Sequence, residues 1–288
     1  MGQDMSLPIL PVDAMTPEED EGLRTVEQRD PFPDSSWIET WGPSARVLLD
    51  RALSSLRLTR SDEVTILTTS DATFVSTCVS ITAFNHGRIS RIVTESTKVV
   101  IVIHEFGYVY PDIVTLSREC RDRGIVLIED CAHLLATDSG TTIGRLGDMA
   151  LYSLPKVIPI RSGGLLRSHR SLDVPPPGAE EAEVIDDVRR AADRYLGAAW
   201  LLNQRRSERR DVLGRYLHLD EPVEPAVPWA VPVHTPSRVD TEARFRAVEF
   251  VSTLEKTTAF IPTNPLVALD EFRQIAESWA ASTEGTNR

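Results

Sequence analysis

Polar side chains that can do chemistry stand at the ends of three apolar segments in the middle of the chain. His104 follows "VVIVI", Asp130 ends "IVLIED", and Ser153 and Lys156 end or follow "MALYS". If these segments are parallel strands, their carboxyl ends meet at one edge of a sheet, which is where open α/β sheets bind ligands. The sequence therefore predicts a site that combines a carboxylate, a hydroxyl and a lysine amine.

This set of side chains matches the needs of pyridoxal phosphate. That cofactor requires a lysine amine for a Schiff base, a carboxylate that keeps its pyridine nitrogen protonated, and hydroxyl and N–H groups for its phosphate. Each residue alone also has an ordinary explanation, because a strand-end aspartate often caps a turn and a lone lysine is usually solvated. The joint pattern is more informative: Asp130 and Lys156 end different segments, 26 residues apart, and Gly163 and Gly164 follow.

The elements that must position these residues alternate between strand and helix, which predicts right-handed β-α-β units and a mainly parallel sheet. We expect strands at 62–68, 98–106, 125–130, 149–154 and 163–168, with helices at 45–58, 73–84 and 111–124. Further helices are predicted at 184–215, 240–256 and 268–281. The expected organisation is an irregular N-terminal lead-in (1–36), a large cofactor-binding α/β domain (37–183), and a linking helix with a small C-terminal α+β domain (184–288).

Composition narrows the class of protein. The 288 residues carry a net charge of −12, which disfavours nucleic acid as a partner. The basic cluster "RRSERR" at 205–210 is interpreted as a solvated or helix-terminal face. No apolar run is long enough to span a bilayer, the first ten residues lack the features of a signal peptide, and three cysteines without a CxxC pair favour a reducing cytoplasm and no metal site.

Three motifs carry a resemblance to a known family. The stretches "LIEDCAH", "TTIGRLGDMALYSLPK" and "VIPIRSGG" resemble the DegT/DnrJ/EryC1/StrS aminotransferases, which have the fold type I architecture of pyridoxal phosphate enzymes. Weaker likeness extends from about residue 37 to residue 279. The family is best known for aminating keto sugars attached to nucleotides, so the resemblance implies a biosynthetic aminotransferase with a mainly parallel sheet and a small C-terminal α+β domain.

The resemblance also implies residue roles. Lys156 would hold pyridoxal 5'-phosphate as a Schiff base and shuttle a proton, Asp130 would pair with its pyridine nitrogen, and His133 would lie near its phenolic oxygen. Ser153 would bind the phosphate. Ser44, Ala45 and Arg46 would form the N-terminal phosphate loop, where the family usually has Ser-Gly-Thr, and Phe74 is the candidate for stacking on the ring.

The resemblance implies partners as well. They are an amino-acid donor, a keto acceptor and a second copy of the chain, because fold type I enzymes generally build the active site across a homodimer interface. An alternative remains open at this stage: a repurposed homologue that binds a partner without catalysis, or that uses the cofactor for a different reaction. It is motivated by the altered Ser44-Ala45-Arg46 loop and by a chain shorter than is usual in the family.

Overall fold

A computed structural model of the protein describes residues 7–69, 77–135, 143–219, 221, 226–234, 249–252 and 257–284. Its main feature is a seven-stranded sheet. The strands are β1 Ile38–Gly42, β2 Glu63–Thr68, β3 Arg88–Ser90, β4 Thr97–Ile103, β5 Val126–Asp130, β6 Met149–Ser153 and β7 Gly164–Ser168. Across the sheet their order is β1-β7-β6-β5-β4-β2-β3.

The pairing confirms the predicted α/β class with a mainly parallel sheet. Each pair among β3, β2, β4, β5 and β6 is parallel, and only β7 runs antiparallel to its neighbours β6 and β1. The register sets Ile103 beside Asp130, and Asp130 beside Leu151. The carboxyl ends of β4, β5 and β6 therefore lie together at one edge, as the sequence indicated.

Helices cover the sheet and connect its strands. They are α1 Pro17–Thr25, α2 Ala45–Ser55, α3 Thr77–His86, α4 Ile113–Arg123, α5 Leu154–Val157, α6 Ala179–Asp193, α7 Ala199–Tyr216 and α8 Leu269–Glu284. Local chemistry explains two boundaries. The Ser44 hydroxyl accepts from Val47 N–H at the start of α2, and Gly124 takes a left-handed φ of 67° at the end of α4.

A second, antiparallel sheet lies in the C-terminal part. It contains β8 Ala230–His234, β9 Glu249–Ser252 and β10 Thr257–Pro262 in the order β8-β10-β9. Apolar residues of β8, β10, α7 and α8 form one buried cluster, which includes Leu213, Val231, Ile261, Phe272 and Trp279. No helix in the described ranges is long and apolar enough to cross a membrane.

The structure corrects three predictions of secondary structure. The lead-in is not wholly irregular, because Thr16 caps α1 and Leu23 of that helix is fully buried. The helix expected at 184–215 is two helices, separated at Leu196–Ala198. The helix expected at 240–256 is wrong at residues 249–252, which form β9, because pairing with β10 overrides the local helical preference.

Candidate active site

One cavity of about 480 Å³ lies at the carboxyl edge of the large sheet. Its walls include every predicted site residue that lies within the described ranges, namely Ser44, Ala45, Arg46, Asp130, His133, Ser153 and Lys156. Phe74, the candidate for ring stacking, lies outside the described residues. Pockets of this size are typical for cofactors and small ligands.

Asp130 presents a buried carboxylate to this cavity. It ends β5 and its side chain accepts a hydrogen bond from Ala132 N–H at 2.9 Å. Burial raises the pKa of Asp130, while that hydrogen bond and the electrostatic effects of Lys156 and His104 oppose the rise. A carboxylate held in this way favours a cationic partner, because a nearby positive charge would restore its ionised form.

Lys156 meets His133 across the same cavity. Its Nζ lies 2.8 Å from His133 Nε2, and Phe106 N–H contacts the other ring nitrogen, Nδ1, at 3.4 Å. Burial, followed by the charges of Lys156 and Arg206, lowers the pKa of His133 well below its ordinary value. The neutral tautomer that accepts from Phe106 N–H at Nδ1 has its proton on Nε2, the nitrogen that lies next to the Lys156 amine.

The start of α2 forms another part of the cavity wall. Ser44, Ala45 and Arg46 place a helix N-terminus at the cavity, where free N–H groups and the helix dipole favour an anion. The guanidinium of Arg46 contacts the thiol of Cys78, another lining residue, at 2.5 Å. A hydroxyl, backbone N–H groups and a guanidinium therefore stand together at this wall.

The glycine pair explains how β7 approaches this wall. Gly163 has a φ of 127°, in the region that favours glycine, and it forms a bridge with Ser44. A Cβ on Gly164 would stand 2.5 Å from Ala45 N. The absence of both side chains lets the backbone support the Ser44-Ala45 loop from behind.

Glu129 and His104 belong to the support of the site and do not line the cavity. The fully buried Glu129 carboxylate accepts hydrogen bonds from the backbone N–H groups of Gly144, Leu146 and Gly147 at 2.8–2.9 Å. His104 Nδ1 accepts from Tyr110 N–H, and its Nε2 lies 3.3 Å from Glu129. Although His104 stands at the end of an apolar segment, it is a buried residue whose two ring nitrogens are both satisfied.

Sequence reasoning missed two residues that contact the lysine. Trp229 Nε1 and Arg206 Nη2 both donate to the carbonyl oxygen of Lys156 at 2.9 Å. The interpretation of "RRSERR" as a solvated face is wrong at Arg206 and Arg209, whose exposed fractions are 1% and 5%. The scarcity of apolar residues in α7 hid this, because burial of a guanidinium depends on distant carbonyl acceptors that a local pattern does not reveal.

A solved aminotransferase and a second solved structure share the overall fold. TlmJ from Streptoalloteichus hindustanus matches with a TM-score of 0.64 and 15% identity, covering 98% of this chain and 93% of that one. NtdA from Bacillus subtilis, with bound cofactor PMP, matches with a TM-score of 0.63 and 16% identity, covering 96% and 85%. The fold is therefore that of this class of transferases.

Residues 63–167 match the model of the DegT/DnrJ/EryC1/StrS aminotransferase family. GDP-perosamine synthase from Vibrio cholerae is 30% identical over 142 residues, which are 44% of this chain and 38% of that protein. The dTDP-4-dehydro-2,3,6-trideoxy-D-glucose 4-aminotransferase from Saccharopolyspora spinosa is 28% identical over 110 residues, or 35% of this chain and 28% of that protein. The matched stretch thus spans less than two fifths of either relative.

Proposed function

We propose that this protein is a pyridoxal-phosphate-dependent aminotransferase that moves an amino group from an amino-acid donor to a keto sugar or a similar small ketone. The observation that carries the proposal is the single cavity that is lined by Lys156, Asp130 and the start of α2. The match to the family model and the names of two relatives, which refer to GDP-perosamine and to a dTDP-linked sugar, support the substrate class.

The residues present fit the cofactor. The start of α2 and Ser153 offer N–H, hydroxyl and guanidinium donors for a phosphate, and the backbone approach at Gly164 keeps that wall in place. Asp130 offers a buried carboxylate for a protonated ring nitrogen. Lys156 offers an amine for a Schiff base, and this amine lies 2.8 Å from His133 Nε2.

When bound, pyridoxal phosphate supplies an electron sink that stabilises negative charge on the substrate carbon next to nitrogen. Asp130 would preserve that capacity by holding the ring nitrogen in its protonated state. Lys156 would hold the cofactor and, as a free amine, would take and return the substrate proton. His133, neutral at physiological pH because of its burial, would donate from Nε2 without adding a positive charge.

We further propose that the partners are an amino-acid donor, a keto acceptor and a second copy of the chain, and that the protein works in the cytoplasm. The match to the aminotransferase family model supports the two substrates, because an aminotransferase requires both. The homodimer is proposed from the general architecture of fold type I enzymes.

A non-catalytic or repurposed homologue is less well supported. Its non-catalytic form predicts loss or occlusion of the reactive groups, yet Lys156, Asp130 and Ser153 line one cavity. The altered Ser44-Ala45-Arg46 loop still presents a helix N-terminus and gains a cation in Arg46.

The test is amino transfer itself. Purified protein loaded with pyridoxal phosphate is mixed with single amino acids, and the absorbance spectrum is followed for conversion of the cofactor to its pyridoxamine form. Keto sugars attached to nucleotides should then return it to the starting form. A loaded protein that responds to no amino donor would contradict the proposal. Lys98→Ala serves as the control variant, because it removes an exposed lysine outside the cavity.

A further inference from the structure

The backbone of Lys156 is held from outside the large sheet. Its carbonyl oxygen accepts two hydrogen bonds, from Trp229 Nε1 and from Arg206 Nη2, each at 2.9 Å. The donors follow Lys156 by 73 and 50 residues in the sequence. Both are buried, with exposed fractions of 4% for Trp229 and 1% for Arg206. The C-terminal part of the chain therefore reaches the residue that carries the amine.

The short helix α5 explains why this carbonyl needs partners. The helix contains only four residues, Leu154–Val157. The last four carbonyl groups of a helix receive no hydrogen bond from within the helix. A buried carbonyl without a hydrogen bond costs about 1–3 kcal/mol. Trp229 and Arg206 satisfy it, and in doing so they define where the Lys156 side chain starts.

The indole of Trp229 also contacts the other end of the lysine. Its ring centroid lies 5.7 Å from Lys156 Nζ and 4.4 Å from the His133 ring centroid. His133 in turn stacks on Phe106, at 5.2 Å. One side chain thus touches the backbone of Lys156, its amine and the histidine that faces the amine.

Arg206 brings a buried positive charge. Within the described residues its guanidinium donates to carbonyl oxygens, those of Lys156 and of Thr263 at 3.5 Å, and no ion pair is formed. Two charged groups act on the lysine and histidine pair: the charge of Arg206 lowers the pKa of His133, and Asp130 interacts with Lys156, which opposes the rise in the pKa of Asp130. A buried cation near an amine disfavours the protonated form of that amine.

We propose that Trp229 and Arg206 are positioning residues that hold the Lys156 amine against His133 inside the cavity. The inference deepens the proposed function, since it concerns the amine on which that function rests. Trp229 restrains the amine through the carbonyl bond and the ring contact. Arg206 restrains the same carbonyl and favours the unprotonated amine.

The experiment measures the reactivity of the Lys156 amine in the full chain without added cofactor. Trace acetic anhydride is applied across a series of pH values, and mass spectrometry gives the acetylation of Lys156 relative to that of exposed Lys98 in the same molecule. Trp229→Phe removes the N–H donor and keeps an aromatic ring. Arg206→Gln removes the charge and keeps a donor.

Matched controls lie elsewhere in the chain. Trp200→Phe removes an equivalent bond, because Trp200 Nε1 donates to the Glu27 carbonyl at 2.9 Å. Arg209→Gln removes a second buried guanidinium of α7, which donates to the carbonyl groups of Arg205 and Val267. Unfolding midpoints of all four variants report any general loss of structure.

Arg206→Gln should move the pH midpoint of Lys156 acetylation upward by about one unit, because a cation that disfavours the protonated amine is removed. Trp229→Phe should raise the plateau rate of Lys156 acetylation about threefold or more, because the amine leaves the cavity more often. The control variants should leave the ratio of Lys156 to Lys98 unchanged. Wild-type ratios and midpoints in both Trp229→Phe and Arg206→Gln would overturn the inference, as would equal changes in the controls. Failure of cofactor binding would contradict the proposed function without affecting this result.

Discussion

Two neighbouring acids at the end of β5 differ in their hydrogen-bond partners and in their access to the cavity. Glu129 and Asp130 point to opposite sides of the strand, as successive strand residues do. Glu129 is fully buried and its two oxygens accept three backbone N–H groups and face His104. Asp130 lines the cavity and accepts one backbone N–H, from Ala132. The first acid is satisfied by the protein, and the second is left for a ligand.

This difference separates a structural acid from a candidate catalytic one better than residue type or burial does. Both carboxylates are almost inaccessible to solvent, so burial alone ranks them equally. What differs is the number of donors the protein supplies and the volume of open space beside each oxygen. Substitutions at the two positions should therefore affect different quantities.

The largest effect on stability is expected for Glu129→Gln. The amide would lose the charge and place an NH₂ group where N–H donors already converge on Glu129. We expect the free energy of unfolding to fall by about 3–5 kcal/mol. Chemical denaturation, monitored by circular dichroism, measures this loss. A decrease of less than about 1 kcal/mol would show that the hydrogen bonds between Glu129 and the loop at 143–147 contribute little to stability.

Asp130→Asn should spare stability and remove activity. The asparagine would keep the Ala132 contact but would no longer hold a cofactor nitrogen in its protonated state. We expect amino transfer to slow by about 10²–10³-fold, the usual scale for loss of an electrostatic partner at a reacting centre. Single-turnover kinetics with the donor found by the screen give the rate, and wild-type turnover would contradict the assigned role.

The pH dependence of stability sharpens the same contrast. Burial raises the pKa of Asp130 above its ordinary value of 3.8, so the folded chain binds this proton more tightly than the unfolded chain does. The stabilisation is present below the ordinary value and is lost as pH rises through the raised one. The unfolding free energy of Asp130→Asn, relative to wild type, should therefore increase with pH in that window. A constant or falling difference, measured by denaturation without cofactor, would refute this.

Smaller effects are expected at two separate glycines, Gly164 behind the cavity and Gly22 in α1. Gly164→Ala would force a Cβ against Ala45 N and Ser44 C, which should cost about 1–3 kcal/mol and weaken phosphate binding at the start of α2. Gly22→Ala, in α1 where no atom lies within 4 Å of the added Cβ, should stabilise by about 0.5–1 kcal/mol. Thermal unfolding compares them. Equal effects of the two changes would argue against the backbone support behind the cavity.

Much of the fold, and the proximity of the candidate site residues, could be predicted from the sequence. The apolar runs that end in His104, Asp130 and Ser153 give parallel strands, and parallel strands bring their carboxyl ends together. Local patterns at 45–58 and 111–124 gave helices close to the observed bounds of α2 and α4. These inferences depend on short-range spacing, which a single sequence displays directly.

The parts that could not be predicted depend on distant contacts. The three donors that bind Glu129 come from a loop at least 15 residues away, and the donors to the Lys156 carbonyl are 50 or more residues away. Burial of Arg206 and Arg209 in a polar helix follows from carbonyl acceptors near Thr263 and Val267. The strand β9 likewise forms because β10 is available to pair with it.

The most direct test of the account is whether Lys156 binds pyridoxal phosphate. Purified protein is saturated with the cofactor and freed of excess, and its visible absorbance is recorded for wild type, Lys156→Ala and the control Lys98→Ala. The account predicts a retained visible band in wild type and in Lys98→Ala, and its loss in Lys156→Ala while the unfolding midpoint stays near that of wild type. A wild-type protein that retains no band, or a band that persists without Lys156, would contradict it.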